Sequence, residues 1–337
     1  MIDFRSDTFT KPSSDMLQTM FQAEVGDDVF GEDPTVNKLE SIASAIFGME
    51  SAIFCPSGTM TNQIAIKCHT QPGDEVICDK LSHIYIYEGG GIAFNSGCSV
   101  KPLEGNFGQI TPKMVKAAVN PDDIHKPVSR LVSLENTANR GGGSCYDFEE
   151  IKAIKDICLT NNLSLHLDGA RLFNALVEKN ESPIQYGETF DSISICLSKG
   201  LGTPVGSILL GNKEFIKKAR RFRKVFGGGM RQAGILAAAG VFALENNISR
   251  LAVDHHHARL IEDALRNKDF VIDIFPVQTN IIILEVGGRL TAPQFVQILL
   301  QHNIKVIAIS DYQVRFVLHL DITESMVEKT ISILEKL

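Results

Sequence analysis

Short apolar runs alternate with longer segments of helical periodicity between Ser51 and Leu210. Runs of about 4–8 apolar residues are typical of buried strands, whereas apolar residues spaced three and four apart indicate amphipathic helices. The strands predicted in this way are Ala52–Phe54, Glu75–Cys78, Ser99–Pro102, Arg130–Leu134, Ser164–Leu167, Ser192–Leu197 and Gly206–Leu210. The helices that precede or separate them include Thr35–Phe47, Asn62–His69, Pro112–Val119 and Phe148–Asn161. This alternation predicts an α/β fold around a mainly parallel sheet of seven strands.

The pattern changes after the apolar helical segment that ends at Glu245. Further strands are predicted at Val271–Phe275, Asn280–Glu285, Lys305–Ile309 and Val314–Leu320, with helices at Ala292–His302 and Glu324–Leu337. Strands and helices mixed in this way are typical of an α+β domain. We therefore predict an N-terminal arm (residues 1–14), a large α/β domain (residues 15–246) and a smaller C-terminal α+β domain (residues 247–337).

The composition of the chain is that of an ordinary globular protein. Of its 337 residues, 44% are hydrophobic and 22% are charged, and the formal net charge is −7. This charge favours neither nucleic acid nor a membrane surface as a partner, and the apolar segment Gly234–Leu244 is too short to span a bilayer. The local basic run Lys217–Lys224 is typical of a solvated helix face, with a phosphate or subunit contact as the alternative.

The seven cysteines show no C-x-x-C spacing. Cys78, Cys158 and Cys196 lie in apolar runs, where cysteine behaves as a small core residue. A disulfide framework is not expected in a chain of this length. The charged start MIDFRSDTFTKP indicates no signal peptide. Together these features predict a reduced, cytoplasmic protein.

Residues suited to ligand chemistry follow several predicted strands at the point where each strand ends. Ligands of open α/β sheets bind outside the carboxyl ends of the strands. Ser57-Gly58-Thr59 opens a helix after the first of these strands, where backbone N–H groups would form either an anion site or an ordinary helix start. His83 follows the second strand and would either stack on a planar ligand or serve the structure alone. Asp168 would either pair with a protonated ring nitrogen or cap a helix.

A single lysine, Lys199, follows the strand Ser192–Leu197 among residues too small to shield it. Burial disfavours the charged form of a lysine, and a neutral amine is a nucleophile that forms a Schiff base with a carbonyl. Lys199 lies 31 residues after Asp168, close to the roughly 30 residues of a strand–helix–strand unit. A phosphate site, a stacking ring, a carboxylate for a ring nitrogen and this lysine together meet the needs of pyridoxal phosphate (PLP).

These residues lie in motifs that are distributed over nearly the whole chain. The motifs are RSDT (Arg5–Thr8), GDDVFGEDPTV (Gly26–Val36), CPSGTMTN (Cys55–Asn62), SHIYIYEGG (Ser82–Gly90), LENT (Leu134–Thr137), HLDGAR (His166–Arg171), SKGLGTPVGS (Ser198–Ser207) and GGGMRQAG (Gly227–Gly234). With the segment Val314–Asp321 they resemble the L-threonine aldolases of the low-specificity type. That resemblance implies the fold of the fold-type I PLP enzymes and a lyase of amino-acid metabolism.

The resemblance also implies which residues hold the cofactor. Lys199 would carry the Schiff base, Asp168 would contact the pyridine nitrogen, and His83 would stack on the ring. The phosphate would be held by Ser57, Gly58 and Thr59, with Arg231 reaching it from a neighbouring subunit. The expected assembly is therefore a homo-oligomer, a homotetramer with its active sites at a dimer interface.

A second set of residues is implied for the amino-acid substrate. Ser6, Arg171 and Arg315 would bind its carboxylate, and Arg171 would also border the cofactor. His125 matches a family histidine near the substrate hydroxyl. His83 and His125 are the two residues implied as the base that takes the proton of this hydroxyl, because histidine titrates near neutral pH.

The implied reaction is retro-aldol cleavage of L-threonine or L-allo-threonine to glycine and acetaldehyde, a step in threonine catabolism and glycine formation. Two alternatives use the same cofactor: β-elimination, with pyruvate and ammonia as products, and PLP binding without turnover. A generic nucleotide-binding α/β protein is disfavoured, because the G-x-G-x-x-G pattern is missing from the first strand–helix turn.

Two further features complete the sequence picture. The family often has a histidine directly after LENT, where this chain has Ala138, and the departure bears on substrate preference. The triplet His255–His257 has the composition of a metal site, but adjacent residues on a helix point in different directions. We therefore predict that the triplet forms a helix surface and that the protein holds no metal.

Overall fold

A seven-stranded sheet forms the centre of the larger part of the molecule, which a computed structural model describes over residues 1–337. Numbered along the chain, the strands are β1 (Ile2–Asp3), β2 (Ser51–Cys55), β3 (Asp74–Asp79), β4 (Ser99–Leu103), β5 (Val128–Glu135), β6 (Ser164–Gly169), β7 (Ser192–Cys196), β8 (Ser207–Gly211), β9 (Val271–Ile274), β10 (Ile281–Val286), β11 (Ile304–Lys305), β12 (Ile307–Ala308) and β13 (Gln313–Val317). The large sheet has the order β2-β8-β7-β6-β5-β3-β4. Only β8 runs antiparallel to its neighbours, so the prediction of a mainly parallel seven-stranded sheet is confirmed.

Thirteen α-helices surround or connect the strands. They are α1 (Ser14–Phe21), α2 (Pro34–Phe47), α3 (Gly58–His69), α4 (His83–Ile86), α5 (Pro112–Ala118), α6 (Phe148–Thr160), α7 (Leu172–Lys179), α8 (Pro183–Thr189), α9 (Lys213–Val225), α10 (Gly234–Asn246), α11 (Leu251–Leu265), α12 (Ala292–Gln301) and α13 (Glu324–Leu334). Helix α2 begins as its sequence predicts, because Asp33 caps the N–H groups of Thr35 and Val36 and Pro34 takes the first position. No helix combines the length and the apolar character needed to cross a membrane.

The smaller part of the molecule contains a four-stranded antiparallel sheet in the order β12-β13-β10-β9. One prediction for this region is wrong, because Lys305–Ile309 does not form a single continuous strand. The run 305–309 is divided into β11, which pairs with β1, and β12, which pairs with β13. The division occurs because the N-terminal residues add a parallel strand at this point, where the Phe4 N–H donates to the Lys305 carbonyl at 2.8 Å.

Two large buried clusters correspond to the two sheets. The first contains 38 residues and extends to Leu251, whereas the second contains 20 residues and includes Ile2, Phe4 and Ala258. The first residues of the N-terminal arm therefore pack with the C-terminal part of the chain, and α11 contributes to both clusters. The boundary between residues 246 and 247 stays a prediction.

The prediction that His255–His257 form a helix surface is wrong for two of the three residues. His255 is 1% exposed and His257 is 6% exposed. His255 makes hydrogen bonds of 3.1 Å to Asn174 and Glu178 of α7, against which α11 packs. Because hydrogen bonds to a neighbouring helix satisfy its ring nitrogens, the histidine is tolerated in the interior.

The prediction that the basic run Lys217–Lys224 forms a solvated helix face is wrong for Arg223. Arg223 is buried, lies 2.9 Å from Asp28 and donates a hydrogen bond of 2.7 Å to the Phe54 carbonyl. It therefore anchors α9 to strand β2 rather than facing solvent. All seven cysteines are free and buried, as predicted for Cys78, Cys158 and Cys196.

Candidate functional site

Two adjoining cavities lie at the carboxyl edge of the large sheet. The inner cavity, of about 170 Å³, is lined by Ser57, Gly58, Thr59, Asn62, His83, Asp168, Ala170, Ser194, Cys196, Ser198 and Lys199. The second cavity, of about 130 Å³, is lined by Ser6, Thr8, His83, Glu135, Asn139, Ala170, Arg171, Lys199 and Arg315. His83, Ala170 and Lys199 border both, so Lys199 lies where the two spaces meet.

Lys199 is placed by the turn that follows strand β7. The Gly202 N–H donates a hydrogen bond of 2.9 Å to the Lys199 carbonyl, which closes the turn. Gly202 has φ of +80°, a conformation that residues with a Cβ rarely adopt. The second glycine of the SKGLG motif, Gly202, therefore fixes the direction in which the chain leaves the strand. This turn presents Lys199 to both cavities.

The start of α3 borders the inner cavity. The Ser57 hydroxyl accepts the N–H of Met60 at 3.2 Å, so the helix is capped there. The N–H groups of Gly58 and Thr59 precede the first intrahelical donors and point outward from the helix start. A Cβ added at Gly58 would lie 3.5 Å from the Ser207 hydroxyl, which is buried without a hydrogen-bond partner. These donors fit a dianionic phosphate group.

Asp168 is the acidic residue of the inner cavity. It is the second-to-last residue of strand β6 and is 3% exposed. Its Oδ1 accepts the Ala170 N–H at 3.1 Å, and its Oδ2 accepts the Asn62 side-chain amide at 2.8 Å. The same Asn62 nitrogen donates to Glu88 Oε1 at 2.9 Å. One amide therefore joins the carboxylate that lines the cavity to the buried carboxylate of Glu88 behind it.

His83 is fixed at both its backbone and its ring. Its backbone N–H donates to Glu135 at 2.7 Å, and its Nδ1 lies 2.9 Å from Glu88 Oε1. Burial disfavours the imidazolium, but the hydrogen bond to Glu88 and the charge of Asp168 outweigh it, so the pKa of His83 is raised. The potential metal-ligand atoms of His83, Glu88 and Asp168 lie within 4.8 Å of one another. The side-chain amide of Asn62 already donates to both carboxylates of this group.

Glu135 connects the backbone of His83 to the far side of the second cavity. Its two carboxylate oxygens accept the N–H groups of His83 and of Asn139, at 2.7 and 2.8 Å. Burial, followed by the neighbouring charge of Asp168, raises the pKa of Glu135 to about 7. Glu135 thereby restrains both the backbone at His83 and the loop that contacts Arg315.

Arg171 is held by an acidic partner rather than left free. Its Nε and Nη2 donate to the two carboxylate oxygens of Asp7 at 2.6 and 2.8 Å, and both side chains are buried. Burial opposes ionisation of Asp7, but the charges of Arg171 and Lys199 outweigh it and lower the pKa of Asp7 to about 2. This bidentate pair keeps the Arg171 guanidinium at the wall of the second cavity.

Arg315 has no such partner. It donates to the side-chain oxygen of Asn139 at 2.9 Å and to the carbonyl of Arg5 at 3.1 Å, and both acceptors are neutral. Its buried Nε makes no hydrogen bond. Burial, together with the like charge of Arg171, lowers the pKa of Arg315 to about 10. An uncompensated guanidinium in a cavity favours an anionic ligand.

The Asp7–Arg171 pair leads to a prediction about stability. We expect Asp7→Asn to lower the free energy of unfolding at pH 7 by about 3–5 kcal/mol, because a buried charge loses its partner. The folded pKa of about 2 lies below the reference value of 3.8, so ionised Asp7 stabilises above about pH 4. That contribution is lost as the pH falls through the folded pKa. Urea unfolding of both proteins between pH 7 and pH 3 measures it, with the exposed Asp15→Asn as the control. A difference that is small and independent of pH would contradict the pair's role.

Two residues that the family resemblance assigns to the site lie outside both cavities. His125 is exposed on the loop after α5 and contacts Asp123 at 2.8 Å. Arg231 is also exposed and donates to Asp27 at 3.0 Å. Within one chain neither residue contacts the cavities, and their roles stay predictions.

Several residues of the site were not predicted from the sequence. They are Asp7, Asn62, Glu88, Glu135 and Asn139. Four of these lie within the family motifs RSDT, CPSGTMTN, SHIYIYEGG and LENT, so membership of a motif was the signal that marked them. Asn139 directly follows Ala138, the position at which the chain departs from the family pattern, and it is Asn139 that contacts Arg315.

Comparison with known proteins adds independent findings. A family model described as beta-eliminating lyase matches residues 3–287. The chain is 43% identical over 324 residues to the low specificity L-threonine aldolase of Escherichia coli K12, covering 96% of this chain and 95% of that protein. It is 40% identical over 343 residues to the probable low-specificity L-threonine aldolase 2 of Arabidopsis thaliana, covering 100% and 97%. A structure of Leishmania major threonine aldolase superposes with a TM-score of 0.87 at 20% identity, covering 100% and 99%, which shows the shared fold.

Proposed function

The chain belongs to the beta-eliminating lyase family, and we propose that it is an L-threonine aldolase that uses PLP to cleave L-threonine and L-allo-threonine. The products are glycine and acetaldehyde. The observation that carries this proposal is the unpaired guanidinium of Arg315 in a cavity that Lys199 also borders. A small amino acid supplies both the carboxylate that this guanidinium lacks and an amino group near the lysine.

The inner cavity fits PLP by the chemistry of its donors. Gly58 and Thr59 offer backbone N–H groups to the phosphate, Asp168 offers a carboxylate to the ring nitrogen, and His83 offers a flat ring for stacking. Lys199 would hold the cofactor covalently. When bound, PLP accepts the electron pair that is released as the Cα–Cβ bond of the substrate breaks.

The second cavity orients the substrate. Arg315 and Arg171, with the hydroxyl of Ser6, would bind the substrate carboxylate. Two guanidinium groups fix the direction of a carboxylate as well as its position. Orientation selects the reaction, because only the bond that stands perpendicular to the cofactor plane is weakened by it. In the proposed reaction that bond would be the one between Cα and Cβ. Asp7 would support this orientation of the substrate by restraining Arg171.

His83 is the better placed of the two proposed bases. Its Nδ1 faces the Glu88 carboxylate, so Nδ1 carries the proton and the lone pair of Nε2 is left for the substrate hydroxyl. The raised pKa of His83 makes its ring a stronger base. After the aldehyde leaves, the protonated ring can return the proton to Cα directly or through water. His125 would require delivery by another subunit, because one chain leaves it in solvent.

The role of Arg315 can be tested through the substrate. We expect Arg315→Lys to raise the KM for L-threonine about 10–100-fold with a smaller change in kcat, because lysine keeps the charge but loses the planar fork. Steady-state rates of aldehyde release measure both constants. L-threonine amide serves as the matched substrate, since it has no carboxylate. Equal losses with the acid and with the amide would show that Arg315 does not bind the carboxylate.

We also propose a homotetramer with active sites at a dimer interface. Several large apolar side chains are exposed to solvent in the single chain. Among them are Phe94, which is 89% exposed, and Ile124, which is 98% exposed. Burial of these side chains against another subunit would remove their apolar surface from water. Ile124 directly precedes His125, so an interface that covers the one would bring the other towards a neighbouring chain. A cytoplasmic location is part of the proposal, supported by the seven free cysteines.

The deciding experiment supplies L-threonine and L-allo-threonine separately to purified, PLP-loaded protein. Acetaldehyde formed in step with glycine is the expected result, and the ratio of the two rates measures the stereochemical preference. A 2-oxo acid and ammonia would instead indicate β-elimination. Bound cofactor without any product would indicate the non-catalytic alternative.

A further inference from the structure

Helix α3 carries a buried polar face where it packs on the large sheet. Thr61, Asn62 and Gln63 are buried near its start, and His69 is its last residue. Asn62 and His69 are seven positions apart, which is about two helical turns, so both lie on the same side of the helix. This polar face lies over β6 and β7, which present polar side chains to it, among them His166 and Ser192.

Four hydrogen bonds connect five side chains in series, an arrangement that we call the relay. Its members are His69, Ser192, His166, Asn62 and Asp168. His69 Nε2 lies 2.8 Å from the Ser192 hydroxyl, which lies 2.8 Å from His166 Nδ1. His166 Nε2 lies 3.2 Å from Asn62 Oδ1, and Asn62 Nδ2 donates to Asp168 at 2.8 Å. His166 and Ser192 are paired across β6 and β7, so the sheet register sets their separation. The relay extends from the end of α3 to the carboxylate of Asp168 in the proposed cofactor site.

The donors and acceptors allow the hydrogen bonds of the relay to point in one direction only, from His69 towards Asp168. Asn62 donates through its Nδ2 to both Asp168 and Glu88, so its Oδ1 accepts from His166 Nε2. Burial lowers the pKa of His166 to about 4 and that of His69 to about 3, so both rings are neutral near pH 7. A neutral imidazole has one donor and one acceptor nitrogen. His166 Nδ1 therefore accepts from Ser192, and Ser192 accepts from His69 Nε2.

We propose that His166, Ser192 and His69 are positioning residues that fix the orientation of the Asn62 amide and so keep a hydrogen-bond donor on Asp168. The proposal rests on the proposed function, because it assigns to Asp168 the contact with the cofactor ring nitrogen. A rotated amide would present Oδ1 to the carboxylates of Asp168 and Glu88, at distances now near 2.8 and 2.9 Å. Oxygen facing oxygen repels, and a donor lost from a carboxylate favours its protonated form.

The far end of the chain is held independently of the cofactor site. The His69 ring stacks on Phe215 with ring centres 4.7 Å apart. Both rings line a separate cavity of about 600 Å³ at the opposite edge of the sheet, together with Ser164, Asp191 and Lys218. The stacked ring can therefore anchor the relay without contact with substrate or cofactor.

Paired variants of His166 test the proposal in the holoenzyme. Glutamine places its amide nitrogen near the position of Nε2 and can still donate to Asn62, whereas leucine cannot. We expect His166→Leu to lower kcat and to weaken PLP binding by about ten-fold or more, as for a lost hydrogen bond to a charged group. The pH dependence of the visible band of the bound cofactor should change with it. His166→Gln should restore all three properties to near the wild-type values.

The matched control is His255→Leu, another buried histidine that makes two hydrogen bonds away from the sheet edge. We expect it to lower the unfolding midpoint without changing the cofactor spectrum. If His166→Leu does not fold, Ser192→Ala replaces it, because the loss of one hydroxyl removes the partner of both histidines. Equal impairment of His166→Leu and His166→Gln, or an unchanged cofactor band in the leucine or alanine variant, would overturn the proposal.

A second measurement separates this proposal from the proposed function. Nitrogen-15 NMR of the full chain, labelled in its histidine rings, reports which ring nitrogen carries the proton, before and after PLP is added. We expect the Nε2–H form for both His69 and His166 in each sample. Failure to bind PLP with these forms intact would refute the proposed function and support the relay's direction. The Nδ1–H form at either residue would refute the relay whatever the cofactor does.

Discussion

Lys199→Ala is expected to abolish the covalent attachment of PLP, with a loss of turnover of at least about 10³-fold. The expectation follows from its position where the two cavities meet, beside the donors for phosphate and the arginine cluster for a carboxylate. Absorption spectroscopy of the PLP-loaded proteins compares the visible band of wild type and variant. The aldehyde-release assay gives the rate.

A chemical test identifies the lysine directly. Reduction of the loaded wild-type protein with borohydride should fix the cofactor to the peptide that contains Lys199, which mass spectrometry would locate. Lys213→Ala is the control, because Lys213 is exposed at the start of α9. Cofactor attached to a different lysine, or a visible band that survives in Lys199→Ala, would contradict the central assignment.

Asp168→Asn is expected to lower kcat about 10²–10⁴-fold while the chain still folds. The amide has nearly the shape of the carboxylate, but it cannot balance the charge of a protonated ring nitrogen. It also faces Asn62 Nδ2, now 2.8 Å from Oδ2, so that a donor would meet a donor. Rates of aldehyde release and the free energy of unfolding, measured together, separate the chemical effect from the structural one.

Asp191→Asn is the matched control for that variant. Asp191 also lies on the large-sheet side of the molecule, where it contacts Lys155 at 2.8 Å and accepts the Leu165 N–H at 2.7 Å. It lines the separate cavity rather than the cofactor site. We expect Asp191→Asn to affect stability and to leave turnover near the wild-type value. Near-normal turnover in Asp168→Asn would show that the ring nitrogen is stabilised by another group.

The order of strands and helices was predictable because the burial of one face of each element determines the spacing of its apolar residues along the sequence. Each of the seven strands predicted for the large sheet overlaps an observed one, and α2 begins at Pro34 after its Asp33 cap. The positions of Lys199 and His83 after their strands, and of Asp168 at the carboxyl end of β6, were predictable for the same reason. In a parallel sheet, residues that follow the strands meet at one edge.

The long-range partners of these residues could not be predicted in this way. Asp7 and Arg171 are 164 positions apart, and Arg315 and Asn139 are 176 positions apart. Hydrophobic periodicity indicates which face of an element is buried, but it does not indicate which polar side chains will meet across two buried faces. The burial of His255 and His257 was missed for that reason.

The sequence by itself therefore determined the α/β architecture, the edge of the sheet that holds the site, and the residue types gathered there. Only the tertiary structure decided that Arg171 is neutralised by Asp7 while Arg315 is left for an anion. It also decided that Asn62 bridges two carboxylates and continues into His166. The physical reason is that hydrogen bonds and ion pairs depend on distances of a few ångströms between elements, which packing and register set. Local patterning reflects only whether each residue is buried.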